Sequence, residues 1–144
     1  MLTRQPLAAT QWPDSAPTGM NFYIAVDGRP VGGENGAYGL AFHDIHSQYY
    51  VFWISADAYS FQAIQNDKSR VILDWTKTSA IQPGQTNRLA VVGADSHYVF
   101  FINDQYVGEA EDDQFGSGAA GISFMVRRGE TGIYEFDNFE LRSP

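Results

Sequence analysis

The sequence predicts an all-β, antiparallel fold of about ten to eleven strands, closed as a sandwich or barrel, and three observations carry that expectation. Short runs rich in Val, Ile, Phe, Tyr and Trp recur along the whole chain, separated by clusters of Gly, Asp, Asn, Ser and Pro. Most run starts lie about 8 to 15 residues apart, the rhythm of strands joined by turns. No gap shows apolar residues at helical spacing, so the crossover helices that parallel strands require have no room.

Taken in order, a short strand at Leu2 to Leu7 is followed by a loop from Ala8 to Gly19 that carries Pro13, Pro17 and Gly19. Strands then fall near Phe22 to Asp27, Tyr38 to His43, Tyr49 to Ser55, Ser60 to Gln65 and Val71 to Trp75. The second half continues with Arg88 to Gly93, Tyr98 to Asn103, Tyr106 to Ala110, Gly121 to Val126 and Ile133 to Leu141. Asp27-Gly28, Gly32-Gly33 and Asn35-Gly36 mark the first connection as a glycine-rich loop. Asn103-Asp104 offers two residues that tolerate positive φ and predicts a tight hairpin. Pro83-Gly84 presets a turn in the longest gap between strands. No internal repeat or low-complexity tract interrupts the chain. Residues 1–19 read as a short strand and loop of the same domain whose β-sandwich occupies 20–144.

The 144 residues are 44% hydrophobic and 15% aromatic, enough for one domain with a substantial core. Seventeen acidic against nine basic residues give a formal charge of −8, which argues against a nucleic-acid partner. The absence of cysteine removes disulfides, thiolate metal sites and a thiol nucleophile. No apolar run approaches the roughly 18 residues of a membrane span, so no membrane insertion is expected. Met1 to Thr10 lacks the basic flank and apolar core of a signal peptide.

Face alternation singles out three strands. In Val71 to Thr76 the residues Val71, Leu73 and Trp75 share one face, which assigns Trp75 to the core. Tyr49 to Ile54 and Tyr98 to Ile102 are instead apolar on both faces, so something must cover the second face of each. A ligand, a partner chain, a folded-back loop or further sequence would each serve.

The order of several short motifs adds a resemblance. Gly36-Ala37-Tyr38-Gly39-Leu40-Ala41-Phe42, Tyr49 to Ser55, Leu73-Asp74-Trp75-Thr76, Ile81-Gln82-Pro83-Gly84, Asn87-Arg88-Leu89, Phe101-Ile102-Asn103-Asp104-Gln105 and Phe136-Asp137-Asn138-Phe139 follow one another across residues 20–142. The series resembles bacterial domains of the concanavalin A-like lectin/glucanase superfamily, in particular the group named after 3-keto-disaccharide hydrolase and laminin-G-like modules. The resemblance implies a jelly roll of two antiparallel sheets and an extracellular, cell-surface or periplasmic setting. It does not fix an activity, because this fold hosts lectins, hydrolases and adhesion modules alike. Such domains usually begin with a further strand or two before the position of Leu2. This chain therefore reads as trimmed, shortened or one piece of a larger assembly, with an edge strand open to homo-oligomer pairing.

Glu135-Phe136-Asp137-Asn138-Phe139-Glu140 matches the Glu-x-Asp-x-x-Glu pattern of retaining glucanases, in which paired carboxylates share nucleophile and acid roles. Here it falls where the related domains carry their closing strand, so Asp137 and Asn138 are expected to bond backbone while Phe136 and Phe139 pack, and no catalytic residue is assigned. His43-Asp44-Ile45-His46 lacks a third ligand at supporting spacing, and no metal site is assigned. No cofactor is expected, although loop oxygens leave a structural Ca²⁺ open. A saccharide site wants a flat aromatic plate rimmed by neutral polar groups. If Tyr50, Phe52 and Ile54 face the core, as the family pattern implies, Tyr49 and Trp53 face the other way. By the same parity Gly39, Ala41 and His43 share that face, the small residues leaving a hollow, with Gln62, Phe101 and Asn103 contributing from later strands. The leading expectation is a non-catalytic module that binds a saccharide or another extracellular ligand through Trp53, Tyr49, His43, Gln62, Phe101 and Asn103. The alternative is a structural or protein-interaction domain, and a glycoside hydrolase-like enzyme stands third.

Overall fold

The computed structural model describes residues 2–9, 21–32, 36–45, 47–116, 118–127 and 133–142. They form eleven strands: β1 (Leu2–Ala9), β2 (Phe22–Gly32), β3 (Gly36–Ile45), β4 (Gln48–Ile54), β5 (Ala58–Gln65), β6 (Lys68–Lys77), β7 (Asn87–Ala94), β8 (His97–Ile102), β9 (Gln105–Glu111), β10 (Ala119–Arg127) and β11 (Ile133–Arg142). One sheet has the order β1-β10-β3-β4-β5-β6 and the other β11-β2-β7-β8-β9. Every pairing is antiparallel. The result is a β-sandwich with jelly-roll character, and each of the eleven expected runs is a strand.

The core between the sheets follows from period-2 alternation. Tyr38, Leu40 and Phe42 of β3, Tyr50, Phe52 and Ile54 of β4 and Tyr59, Phe61 and Ala63 of β5 meet Ile24 and Val26 of β2, Leu89 and Val91 of β7, and Tyr98, Phe100 and Ile102 of β8. Its centre is aromatic: Phe61 lies 4.7 Å from Phe100 and Phe52 lies 4.8 Å from Phe100, tilted ring pairs that add to the burial of their area.

The turns are chemically specified. Asn103 and Asp104 have φ of 52° and 65°, the left-handed pair that a two-residue hairpin needs. Gly84 has φ 74°, and the Gln85 amide donates to the Gln82 carbonyl at 3.2 Å across the Pro83-Gly84 turn. The first connection is shorter than its glycines suggest, because Asp27-Gly28 lies inside β2 and not in a loop. Gly28 is there for space: a Cβ on it would stand 2.6 Å from the Tyr38 ring.

Candidate functional site

The outer face of the six-stranded sheet carries a second apolar cluster, Ala37, Ala41, Tyr49, Val51, Trp53 and Ile64. It arises because β4 is apolar at every position. Trp53 pairs with Gly39 on one side and Ser60 on the other, and Val51 pairs with Ala41 and Gln62. Tyr49, Trp53 and Gln62 thus share a face as expected, yet Trp53 and Val51 are 0% exposed and Tyr49 9%. The expected stacking plate is therefore a buried side chain. Its indole Nε1–H is also the one buried side-chain polar atom without a hydrogen-bond partner among the described residues.

The glycine beside it is set by backbone approach. A Cβ on Gly39 would fall 1.8 Å from the Phe52 carbonyl oxygen, so glycine is required for the backbones of β3 and β4 to approach. Gln62, 8% exposed, donates from Nε2 to the Ser60 hydroxyl at 3.1 Å, and Ser60 donates to the Leu73 carbonyl at 2.8 Å.

Trp75 takes the opposite course to Trp53. Thr76 pairs with the inward-facing Tyr59 and Leu73 with the inward-facing Phe61, so Asp74 and Trp75 together oppose Ser60 in a bulge. Alternation from Thr76 turns Trp75 to the outer face, where it is 37% exposed. Val71, opposite Gln62, is on the same face and 51% exposed. The assignment of Trp75 to the core, and the shared face of Val71 and Leu73, both fail because register shifts flank Phe61. Sequence alternation assumes a regular strand. The signal that could have found this was the polarity of Lys68, Arg70, Asp74 and Lys77 on one run, typical of an edge strand.

Three other expected ligand residues lie elsewhere. His43 has φ 56° at the β3 bulge, which turns it off the outer face and into the sandwich. Its ring stands 5.2 Å from Phe22, 5.9 Å from Tyr50 and 6.0 Å from Tyr98, and its Nδ1 is 3.2 Å from the Phe115 carbonyl. His46 lies outside the described residues. Phe101 is on the outer face of the five-stranded sheet, its ring edge-on to Tyr106 at 6.3 Å, with the whole sandwich between it and Trp53. Asn103 is a brace. Its Oδ1 accepts from the Arg88 amide at 2.9 Å, and its Nδ2 donates to the Ala80 carbonyl and the Asn87 Oδ1, both at 2.9 Å.

Past the β5–β6 hairpin, loop 112–116 is tied to the sheets. The Tyr50 hydroxyl donates to Asp112 Oδ2 at 2.6 Å and accepts from the Phe115 amide at 3.0 Å. Arg70 bonds Asp112 Oδ2 at 2.9 Å and reaches Gln114 Oε1, while Gln114 Nε2 donates to Gln65 Oε1 at 3.0 Å. Burial pushes the Tyr50 phenol up, and the bond to Asp112 pushes the same way. Burial alone would raise the Asp112 carboxyl, but bonds from Arg70, Tyr50 and the Gln114 amide outweigh it and hold the group below its ordinary value. A recess of about 360 Å³ opens here, lined by Ala63, Gln65, Asn66, Lys68, Ser69, Arg70 and Gln114.

The glucanase-like carboxylates do not converge. Glu135 pairs with Arg29 at 2.8 Å, and Glu140 is held between Arg88 and Arg142, both at 2.6 Å. Asp137 accepts the Asn138 amide at 2.8 Å, Asn138 Nδ2 donates to Asp27 at 2.8 Å, and Phe136 and Phe139 pack against the core. This is a closing strand whose polar groups are satisfied by neighbours. Among the described residues no three His, Asp or Glu side chains stand together as a metal site.

No protein-family model and no curated protein matches the chain. Solved structures do. The carbohydrate-binding module CBM66 from Bacillus subtilis superposes with a TM-score of 0.72 at 22% identity, covering 90% of this chain and 78% of its own. Sheep galectin-11, in complex with glycerol, gives 0.65 at 13% identity over 92% of this chain and 100% of its own. The alginate lyase AlgAT5 from polysaccharide lyase family 7 gives 0.61 at 12% identity over 92% and 63%. At these identities the likeness is one of fold, and it agrees with the motif order. The chain has the jelly-roll β-sandwich fold that these structures share.

Proposed function

We propose that this chain is a non-catalytic β-sandwich module that binds saccharide on the outer face of its six-stranded sheet. Trp75 is the stacking plate, Val71 extends the apolar strip, and Gln62 supplies the polar rim, with buried Tyr49 and Trp53 two strands away on the same face. The observation that carries this reading is the partly exposed Trp75 beside exposed Val71, on the face that also holds Gln62. Sugar rings present C–H faces that such a plate can cover, and their hydroxyls match amide groups. A carbohydrate-binding module and a galectin among the fold neighbours support the ligand class. The ion-paired state of Glu135 and Glu140 supports a binding role over hydrolysis. A single short strip gives weak affinity, so avidity from linked copies would set the working strength. The motif resemblance supports a setting outside the cytoplasm.

A glycan array read with the parent and Trp75→Ala tests the proposal. Binding by the parent that falls at least about ten-fold in Trp75→Ala, with unchanged thermal unfolding, is the expected result. No glycan bound by the parent, or equal binding by the variant, would contradict it.

A structural or interaction module is the second reading, and the observation favouring it is Tyr106, 58% exposed on edge strand β9 beside Phe101. Light scattering separates the two: a dimer broken by Tyr106→Lys with no glycan bound favours the second.

A further inference from the structure

On β6 the run Leu73 to Thr76 holds one residue more than its partner strand matches. Leu73 is opposite Phe61 and Thr76 opposite Tyr59, so three steps along β6 run beside two along β5. Both ends of the run are pinned from the core side. Phe61 is fully buried against Phe100. The Tyr59 hydroxyl donates to the Val107 carbonyl of β9 at 2.7 Å, in a space that only a glycine leaves open, since a Cβ on Gly108 would stand 2.3 Å from that hydroxyl. The extra residue is therefore absorbed between Leu73 and Thr76.

Side chains satisfy the backbone that this bulge takes out of regular pairing. Asp74 Oδ1 accepts the Trp75 amide at 2.8 Å, and the Asp74 carbonyl accepts the Thr76 hydroxyl at 2.9 Å. From β5 the Ser60 hydroxyl donates to the Leu73 carbonyl at 2.8 Å. β6 is an edge of its sheet, where a bulge capped in this way also blunts pairing with another chain. Regular alternation from Leu73 would send Trp75 inward, whereas the capped bulge turns it out. Resting on the saccharide reading above, we infer that Asp74 and Thr76 are positioning residues for that site. They hold the bulge that presents Trp75 on the outer face, and Asp74 acts through its acceptor oxygen, not through its charge.

The test compares the intact parent with Asp74→Ala, Asp74→Asn and Thr76→Val by two measurements. One is the Trp75 indole N–H signal in ligand-free protein, identified by its loss in Trp75→Ala. The other is affinity for the β-linked hexamers of glucose, mannose and N-acetylglucosamine. Asp74→Ala is expected to move the indole signal and to lower affinity for the preferred hexamer about three- to ten-fold. Thr76→Val should act in the same direction and more weakly, and it carries the comparison if Asp74→Ala does not fold. Asp74→Asn keeps an acceptor oxygen without the charge and should return both measurements to parent values. Indole signals like the parent's in Asp74→Ala and Thr76→Val overturn the positioning role whether or not a hexamer binds. Weak binding by Asp74→Asn with a parent-like indole signal also overturns it, because Asp74 would then act on the sugar through its charge. If the parent binds no hexamer while the indole signal still moves in Asp74→Ala, the saccharide reading fails and the positioning of Trp75 stands.

Discussion

Two tryptophans exchange the places that simple alternation gives them. Trp53 is closed off on the outer side of β4, and Trp75 is turned out at the bulge of β6. The two should therefore behave oppositely on truncation. Trp53→Ala removes a fully buried side chain and is expected to cost about 3–5 kcal/mol in urea unfolding, whereas Trp75→Ala should cost under about 1 kcal/mol and act on binding. Equal losses would contradict the assignment. Asn103 makes a similar point for polar groups. It lies in one of the motifs that carry the family resemblance, and its visible job is to satisfy the Arg88 amide, the Ala80 carbonyl and Asn87. Asn103→Ala strands those partners and also loses a residue suited to φ 52°, so a loss of about 2–4 kcal/mol is expected. Urea denaturation checks it, and a neutral substitution would return Asn103 to the list of ligand contacts.

At the scale of elements, the strands were legible and their irregularities were not. Eleven apolar runs became eleven strands because burial between two sheets selects the alternating pattern that the sequence writes directly. Bulges leave no comparable trace. The positive φ of His43 puts an imidazole among Phe22, Phe42, Tyr50 and Tyr98, and Gly118, with φ 149°, presses against that bulge. A Cβ on Gly118 would lie 2.5 Å from the His43 carbonyl carbon. Parity counted through the bulge therefore gave the wrong face. Phe101 was lost for a different reason, since which sheet a strand joins depends on long-range pairing that one strand's own residues do not state. Gly39→Ala, which drives a methyl into the Phe52 carbonyl, is expected to destabilise by more than about 3 kcal/mol or prevent folding. Soluble expression with a parent-like melting temperature would contradict the close approach of β3 and β4.

The same elements set the molecule's response to pH. Asp112 fastens loop 112–116 to β4 and β6, and its carboxyl is held below the usual value in the folded state. A lowered carboxyl stabilises above its unfolded pKa near 4 and loses that contribution as pH falls through the folded value. The stability gap between the parent and Asp112→Asn should accordingly be about 1–2 kcal/mol at pH 7 and shrink below pH 4, measured by urea unfolding at each pH. His97, between Glu109 and Glu111, shifts the other way, since the bonds its ring N–H groups donate to both carboxylates favour the imidazolium. Its contribution is complete below the unfolded pKa near 6.5 and is lost as pH rises through the raised folded value.

For the whole molecule, the architecture and the acidic balance could be read from the sequence, while the proposed site had to wait for the register of β5 and β6. A β-sandwich with one partly exposed tryptophan among the described residues of its six-stranded sheet makes a sharp demand. Isothermal titration of the glycan that the parent selects, against the parent, Trp75→Ala and Tyr106→Ala, tests it most directly. Binding by the parent and by Tyr106→Ala, with loss in Trp75→Ala, is the expected result. Binding that survives in Trp75→Ala and disappears in Tyr106→Ala would move the site to the other sheet and contradict it.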